Sequence, residues 1–254
     1  MKAQVLLPKV FNFPFTYNSR FRNKIGNIVE VPFGSKKEIG VIWKNNYLEP
    51  ENIKIKDVLD ETEYSIDKNL INFIEWFSSY NMVSIGLVLK MVIGGSDKFI
   101  RFKDNCIKKK KIQKKTYRLN NEQTQALRFL ETINNKFDVS VLQGTTGSGK
   151  TLVYFERIKK IIEKKNQALV LLPEIFLTNE FKSRFEDFFG FEPAIWHSKI
   201  TPKQKRIIWK GVIKNKIKIL VGARSALLLP FKKLGIIVVD EEHDTSYKQE
   251  EGVI

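Results

Sequence analysis

The spacing of apolar positions changes twice along the chain. Up to about residue 60, short apolar runs alternate with polar residues at positions 5–7, 27–31 and 38–43, and turn residues separate them. Alternation over a few residues is typical of strands that bury one face. The pattern predicts a small β-barrel or β-sheet at the N-terminus.

The period then becomes helical. From Ile66 to Phe77 apolar residues recur every three or four positions with charged residues between them, which predicts an amphipathic helix over 66–80. A second, shorter helix is predicted over 84–93, and the glycine pair that follows should end it.

A third pattern begins at Asn120, where apolar strands alternate with stretches of helix length. The predicted strands are 139–143, 168–172, 193–196, 217–221 and 235–239. The predicted helices are 121–134, 150–165, 174–189 and 201–214. Strands separated by such helices form parallel sheets covered on both faces, and ligands bind at the carboxyl ends of those strands. The predicted fold class is therefore α/β, with a β-rich N-terminal domain ahead of a parallel-sheet lobe.

Composition adds a class of partner. The 254 residues carry 44 Lys and Arg against 28 Asp and Glu, a formal charge of +16 spread over the whole length. Such a charge favours a polyanion, and nucleic acid fits better than a membrane. The single cysteine, Cys106, excludes an internal disulfide and a cysteine zinc cluster within this sequence. Without a bilayer-length apolar stretch or a secretory signal, we expect a soluble cytoplasmic protein with no membrane partner.

A lysine run separates the two halves of the chain. Lys108 to Lys111 cannot pack in a core and repel one another. The run is either an inert tether or a strip that follows phosphates, and both interpretations stay open. The predicted division is a β-rich domain over 1–65, a helical segment over 66–97, a basic linker over 98–118 and an α/β lobe over 119–254.

The most informative motif lies between the first predicted strand of the lobe and its helix. Residues 144–151 read GTTGSGKT, a complete phosphate-binding loop. Lys150 would reach the β- and γ-phosphates, and the Thr151 hydroxyl would bind Mg²⁺. Backbone N–H groups of the glycine-rich turn and the helix N-terminus would hold the phosphates. The candidate nucleotide-binding residues here are Gly144, Thr145, Thr146, Gly147, Ser148, Gly149, Lys150 and Thr151.

An acidic cluster supplies the second half of this site. An apolar strand over 236–239 ends in Asp240-Glu241-Glu242-His243. Asp240 can hold Mg²⁺, and Glu241 can orient the attacking water. Such a cluster alone is usually a solvated strand end, but about 90 residues after a phosphate loop it predicts an NTPase. Lys150, Asp240 and Glu241 are the candidate catalytic residues.

The Asp-Glu-Glu-His box resembles that of superfamily 2 helicases. Further stretches resemble the PriA family of replication-restart helicases (primosomal protein N′): LNNEQ at 119–123, LLPEI at 171–175, WHS at 196–198, GARSAL at 222–227 and DTSYKQ at 244–249. VLLP at 5–8, FTY at 15–17 and VPFG at 31–34 are similar to that family's domain for the DNA 3′ terminus. The resemblance spans nearly the whole chain.

This resemblance implies an ATP- and Mg²⁺-dependent 3′→5′ DNA helicase with a RecA-like lobe, which recognises stalled forks and starts primosome assembly. Its DNA partners would be forks, single strands and 3′ ends; the family also suggests primosome proteins and single-strand-binding protein. Gln123 would read the adenine, and His243 would couple the nucleotide and DNA sites. The candidate DNA-binding residues carried over from the family are Phe15, Tyr17, Gly34, Pro173, Glu174, Arg224 and Ser225.

Simpler interpretations of these residues stay open. Gln123 with Asn120 also forms a helix capping pair. Arg224 could only cap a helix, His243 could be an ordinary polar loop residue, and the N-terminal rings could be barrel core.

The chain also departs from the family's pattern. Thr16 stands where the family has an acidic residue that contacts the terminal hydroxyl. The family's winged-helix domain would be missing or reduced to 66–93, and its zinc-binding cysteines and second motor lobe are not found in these residues. We therefore expect a lobe truncated after the acidic box, with an unpaired strand edge and doubtful activity of its own.

Two other classes of function remain. One is a catalytically inactive DNA-binding remnant of a truncated or split helicase gene. The other is a P-loop enzyme outside the helicases, such as a small-molecule kinase, which the acidic box and the charge of +16 disfavour.

Overall fold

The computed structural model describes residues 1–44, 55–94, 117–132 and 137–247. These residues form two units, one around an antiparallel sheet and one around a parallel sheet. Most of the predicted basic linker, residues 98–116, lies outside the described residues.

The N-terminal unit is a curled five-stranded sheet. Its strands are β1 (Lys2–Leu6), β2 (Phe15–Asn18), β3 (Asn27–Phe33), β4 (Lys36–Lys44) and β5 (Asp60–Ser65). They lie in the order β2-β1-β4-β3-β5, and every neighbouring pair is antiparallel. The Asn18 N–H donates to the Lys56 carbonyl at 2.9 Å, and the Val58 N–H donates to the Asn18 carbonyl at 2.8 Å. These bonds join β2 to the segment before β5, so the predicted N-terminal β-domain is confirmed.

Two helices cover one face of this sheet. They are α1 (Lys68–Asn81) and α2 (Ile85–Ile93). The Asp67 carboxylate caps α1 by accepting from the Leu70 N–H at 2.8 Å. Gly94 ends α2 with a left-handed φ of +76°, as the glycine pair predicts.

The second unit is a parallel α/β lobe. Its helices are α3 (Asn121–Thr132), α4 (Lys150–Glu163), α5 (Asn179–Phe189) and α6 (Pro202–Ile213); its strands are β6 (Gln167–Leu171), β7 (Ala194–Trp196), β8 (Ile219–Gly222) and β9 (Leu234–Val239). The strand order is β7-β8-β6-β9, and all pairs are parallel. The predicted α/β class is confirmed.

One predicted helix begins later than expected. Residues Glu174–Phe176 form a single 3₁₀ turn, and the α-helix predicted over 174–189 starts only at Asn179. The Thr178 hydroxyl accepts from the Phe181 N–H at 3.2 Å, which caps the helix at that point.

The prediction of a strand over residues 139–143 is wrong. These residues adopt no regular secondary structure, and Val139 and Val141 are 75% and 90% exposed. Among the described residues no strand pairs with the outer edge of β9 or with this segment. An apolar run becomes a strand only where a neighbour satisfies its backbone groups.

The lobe buries both faces of its sheet against different layers. Leu169 and Leu171 of β6 face α6 and the N-terminal unit, while Ala168 and Val170 face α4 and α5. At the start of β6, the buried Gln167 amide donates to two carbonyls and accepts from the N–H groups of Lys232 and Lys233. This one side chain ties together the entries of three strands.

Trp209 of α6 joins the two units. Its indole Nε1 donates to the Val92 carbonyl at 2.7 Å, and its ring meets Tyr64 edge-on at 5.6 Å between centroids. Lys214 Nζ lies 2.6 Å from the Glu63 carboxylate at the rim of the same contact. The apolar residues of the N-terminal unit and of α6 therefore form one continuous core.

Candidate nucleotide and DNA sites

The phosphate-binding loop is exposed at the N-terminus of α4, where anion binding is favoured. Gly147 and Gly149 have φ of +81° and +83°, conformations that favour glycine. A Cβ on Gly149 would lie 2.4 Å from Gln123 Nε2, so a side chain here would displace the Gln123 amide.

Lys150 is held against its own loop. Its Nζ donates to the carbonyls of Gly144 at 2.6 Å and Thr145 at 3.2 Å. A phosphate is a stronger partner for an ammonium group than a neutral carbonyl is. The lysine can therefore exchange these contacts for a bound phosphate.

Gln123 fastens α3 to this loop. The N–H of Asn120 donates to Gln123 Oε1 at 3.0 Å, and the N–H of Gln123 donates to Asn120 Oδ1 at 2.8 Å. The capping-pair interpretation is therefore confirmed. Gln123 Nε2 also donates to the Ser148 carbonyl at 2.9 Å, beside the predicted nucleotide site. Adenine reading by this amide stays a prediction.

Asp240 lies at the end of β9, where its N–H donates to the Leu171 carbonyl at 3.0 Å. Its Oδ2 accepts from the Tyr154 hydroxyl at 2.8 Å. Thr151 lies one helical turn before Tyr154 on α4, so the two side chains are on the same side of this helix. Burial, and next the charge of Asp240, raise the pKa of Tyr154, so its hydroxyl stays protonated and donates.

Thr151 and Asp240 offer a hydroxyl and a carboxylate oxygen, the donors that Mg²⁺ takes beside phosphate and water. Tyr154 donates to Asp240 and lies one helical turn after Thr151, which brings the two ligand residues to the same end of the sheet, so the residues present fit the ion. The described part of the chain contains no group of three or more His, Cys, Asp or Glu that could hold a metal.

Glu241 turns away from the strand immediately after Asp240. Its φ of +52° is left-handed, a conformation that costs a non-glycine residue about 1–2 kcal/mol. Its carboxylate lies 3.7 Å from Nε2 of His243, whose side chain is 74% exposed. The coupling role of His243 stays a prediction.

Tyr247 connects the acidic box to the predicted DNA track. Its hydroxyl donates to the Asp240 carbonyl at 2.8 Å, and its own carbonyl accepts from Arg224 Nη1 at 3.3 Å. Burial, followed by the charge of Asp240, raises the pKa of Tyr247. Arg224 begins a 3₁₀ turn, but no side-chain capping bond is made there. Sequence reasoning gave Tyr154 and Tyr247 no role.

The remaining predicted track residues meet at the carboxyl ends of β6, β7 and β8. The Glu174 carboxylate accepts from the Ser198 N–H at 3.0 Å and hydroxyl at 3.2 Å, and the backbone bond is the main reason its pKa is lowered. Trp196 Nε1 donates to Ser225 Oγ at 3.2 Å. Glu174, Arg224 and Ser225 are exposed at this edge, whereas Pro173 is buried.

The N-terminal candidates lie on the other sheet. Phe15 is half-buried, with its ring centroid 4.9 Å from that of Phe11 and 5.3 Å from that of Phe33. Tyr17 is only 4% exposed, and its hydroxyl donates to the Pro32 carbonyl at 3.2 Å. Burial raises its pKa to about 12. The Tyr17 ring is thus part of the core, and Phe15 is the more accessible ring.

Gly34 is exposed at the turn between β3 and β4, with a φ of +60°. Lys56 Nζ donates to its carbonyl at 3.3 Å and places a cation at this turn. Sequence reasoning missed Lys56, because it is distant in the chain from Gly34. Thr16 points to the opposite side of β2 from Phe15 and Tyr17, since neighbouring strand residues alternate.

Two family models match the chain. The DEAD/DEAH box helicase model matches residues 120–254, and the 3′ DNA-binding domain (3′BD) model of PriA matches residues 4–94. The first covers more than half of the chain and all of the nucleotide-site residues described above. The chain therefore belongs to the DEAD/DEAH box helicase family. The second model includes α1 and α2 together with the N-terminal sheet.

Curated relatives carry the resemblance further. The replication restart protein PriA of Rickettsia felis is 40% identical over 99% of this chain and 39% of its own length. PriA of Helicobacter pylori strain J99 is 34% identical over 94% of this chain and 36% of its own length. The predicted resemblance to the N-terminal portion of PriA is confirmed, and the chain spans about 39% of the length of the Rickettsia proteins that it matches.

In the described residues no helix has the length and apolar character needed to cross a membrane.

Proposed function

We propose that this chain carries the 3′-end-binding and first ATP-binding parts of a cytoplasmic replication-restart helicase. The whole protein would unwind DNA 3′→5′ at stalled forks and start primosome assembly. The observation that supports this most strongly is the hydrogen bond from Tyr154, one turn after Thr151 on α4, to Asp240, beside a complete phosphate loop. Because the chain spans about 39% of its relatives, unwinding is proposed for the whole protein, and ligand binding for this chain.

The chain's own residues account for the nucleotide chemistry. The loop at 144–149 binds phosphate oxygens through backbone N–H groups, and Lys150 adds a positive charge. Thr151 and Asp240 would hold Mg²⁺, which when bound neutralises phosphate charge. Glu241 accepts a hydrogen bond from the attacking water and orients it.

The DNA contacts are proposed at two places. Glu174, Arg224 and Ser225 would follow a single strand along the end of the parallel sheet. Phe15 and Gly34 would meet a terminal nucleotide, with Phe15 stacking on the base and Lys56 facing its phosphate, while the buried Tyr17 would support Phe15 from the core. DNA binding at Arg224 would be coupled to Asp240 through Tyr247. Alternatively, His243, which lies with Tyr247 in the segment after Asp240, would couple the two sites.

The test uses the 254-residue chain, a fluorescent ATP analogue and a forked DNA with a free or a phosphate-blocked 3′ end. We expect binding of both ligands, weaker binding of the blocked fork, and little ATP turnover. Lys150→Ala should lower affinity for the analogue about tenfold or more and leave fork binding unchanged. Strong DNA-stimulated turnover that Lys150→Ala abolishes would show that this chain is a complete motor and contradict the division of labour.

The second candidate is a DNA-binding protein without catalysis. It is supported by the exposed segment 137–143, which leads into the phosphate loop and pairs with no strand in the described part of the chain. Fork binding without any binding of the ATP analogue would favour this candidate.

A further inference from the structure

Tyr154 occupies an unusual position in the lobe. It lies one helical turn after Thr151 on α4 and is 6% exposed within an apolar cluster that includes Phe155 and Val170. Its aromatic ring packs there like that of a phenylalanine. Its hydroxyl, however, donates to Asp240, and Thr151 lies one helical turn earlier on the same helix.

The contact also restrains Asp240. Oδ2 accepts from Tyr154 at 2.8 Å, and Oδ1 accepts from the Glu241 N–H at 3.1 Å. A carboxylate with one donor on each oxygen cannot rotate freely about its terminal torsion, which is otherwise broad. Each oxygen keeps a further lone pair for another ligand.

We propose that Tyr154 is a positioning residue, whose hydroxyl holds Asp240 beside Thr151 in the arrangement that takes up the Mg²⁺ of bound ATP. This rests on the proposed function. A phenol suits the role because it is neutral: it orients the carboxylate without cancelling the negative charge that attracts the ion. A lysine or arginine at the same place would orient Asp240 but compete with the metal.

Tyr154→Phe keeps the ring and removes only the hydroxyl. The measurement is the affinity for a fluorescent ATP analogue with Mg²⁺ and with a chelator. We expect Mg²⁺ to strengthen binding to the wild type, and Tyr154→Phe to lose about tenfold of that gain, as for a hydrogen bond to a charged group. Binding with the chelator should not change. Tyr80→Phe, on the outer face of α1, is the matched control that should behave as wild type.

The two hypotheses fail in different ways. Wild type that binds no nucleotide under either condition would contradict the proposed function, and the role of Tyr154 with it. Wild type that gains affinity from Mg²⁺, while Tyr154→Phe gains as much, would overturn the role of Tyr154 alone. Lys150→Ala should differ from the wild type and from Tyr154→Phe, because it should lose affinity for the ATP analogue both with Mg²⁺ and with the chelator.

A second measurement needs no ligand. Urea unfolding of Tyr154→Phe, Asp240→Asn and the double variant forms a mutant cycle. We expect the midpoint shift of the double variant to differ clearly from the sum of the single shifts, because both single changes alter one hydrogen bond. Additive shifts would show that the contact does not restrain Asp240, and would overturn the proposal.

Discussion

β6 and β9 are neighbouring parallel strands of similar apolar composition with opposite burial. Leu169 of β6 is paired with Ile237 of β9, yet Leu169 is fully buried and Ile237 is 45% exposed. β6 has a strand on each side and packed layers on both faces. Within the described ranges, β9 has β6 alone as a strand partner. The comparison shows that neighbours, not composition, determine how much an apolar strand buries.

The same difference separates scaffold from site. The β6 half of the lobe is continuous with the core of the N-terminal unit, while the β9 half carries Asp240, which accepts from Tyr154 of the helix that follows the exposed phosphate loop. Regions with fewer buried contacts open more easily. We therefore expect the β6 half to contribute most of the free energy of unfolding, and the β9 half to change conformation more readily when a ligand binds.

The largest expected effect is at Trp209, which closes the β6 face against the N-terminal unit. Trp209→Ala should lower the free energy of unfolding by about 3–5 kcal/mol, because it empties a fully packed site and removes the partner of the Val92 carbonyl. Trp76→Ala is the control, since Trp76 is 55% exposed on α1 and should cost far less. Similar urea midpoints for the two variants would mean that the units do not share a core.

A paired substitution tests the two strands directly. Leu169→Ala should lower the free energy of unfolding by about 2–5 kcal/mol, whereas Ile237→Ala, in register beside it, should cost about 1 kcal/mol. Chemical denaturation under identical conditions measures both. If the two costs were equal, the outer side of β9 would be packed as well as β6, and the contrast would be wrong.

The smallest effect is at the rim of the interface, where Lys214 meets Glu63. The hydrogen bond between them is the main cause that lowers the pKa of Glu63 from 4.5 and raises that of Lys214 from 10.5. The lowered pKa of Glu63 stabilises the folded state at pH values above the unfolded pKa, and this stabilisation is lost as the pH falls through the folded pKa. The raised pKa of Lys214 stabilises the folded state at pH values below the unfolded pKa, and this stabilisation is lost as the pH rises through the folded pKa. The pair therefore contributes between about pH 4.5 and 10.5.

Both side chains are partly solvated, so the contribution should be no more than about 0.5 kcal/mol. Glu63→Gln should lower the thermal midpoint slightly at pH 7 and by less below pH 4. An equal difference at both pH values would show that the Glu63 charge does not matter.

Local motifs account for what could be predicted at the site. Loop 144–151 and the acidic box after β9 are each one unbroken stretch of sequence, so residue type and spacing define the chemistry of each motif directly. Tyr154 and Asp240 are 86 residues apart, and nothing in either local sequence shows that they meet. The same is true of Lys56 and Gly34, whose contact depends on how the N-terminal sheet curls.

Periodicity and capping also act over a few residues, so the sequence alone predicts β1, β3 and β4 of the N-terminal sheet, the four strands of the parallel sheet and the Asn120–Gln123 cap. It also predicts the helices, one of which begins later than expected, but not β2 and β5. Pairing and packing are decided between distant parts of the chain. The apolar run 139–143 reads as a strand, but it has no neighbour in the described structure to accept its backbone bonds. Trp209 meets a carbonyl 117 residues away, and that contact makes one core from two units. Backbone preference is a short-range property, whereas burial depends on which surfaces the whole chain brings together.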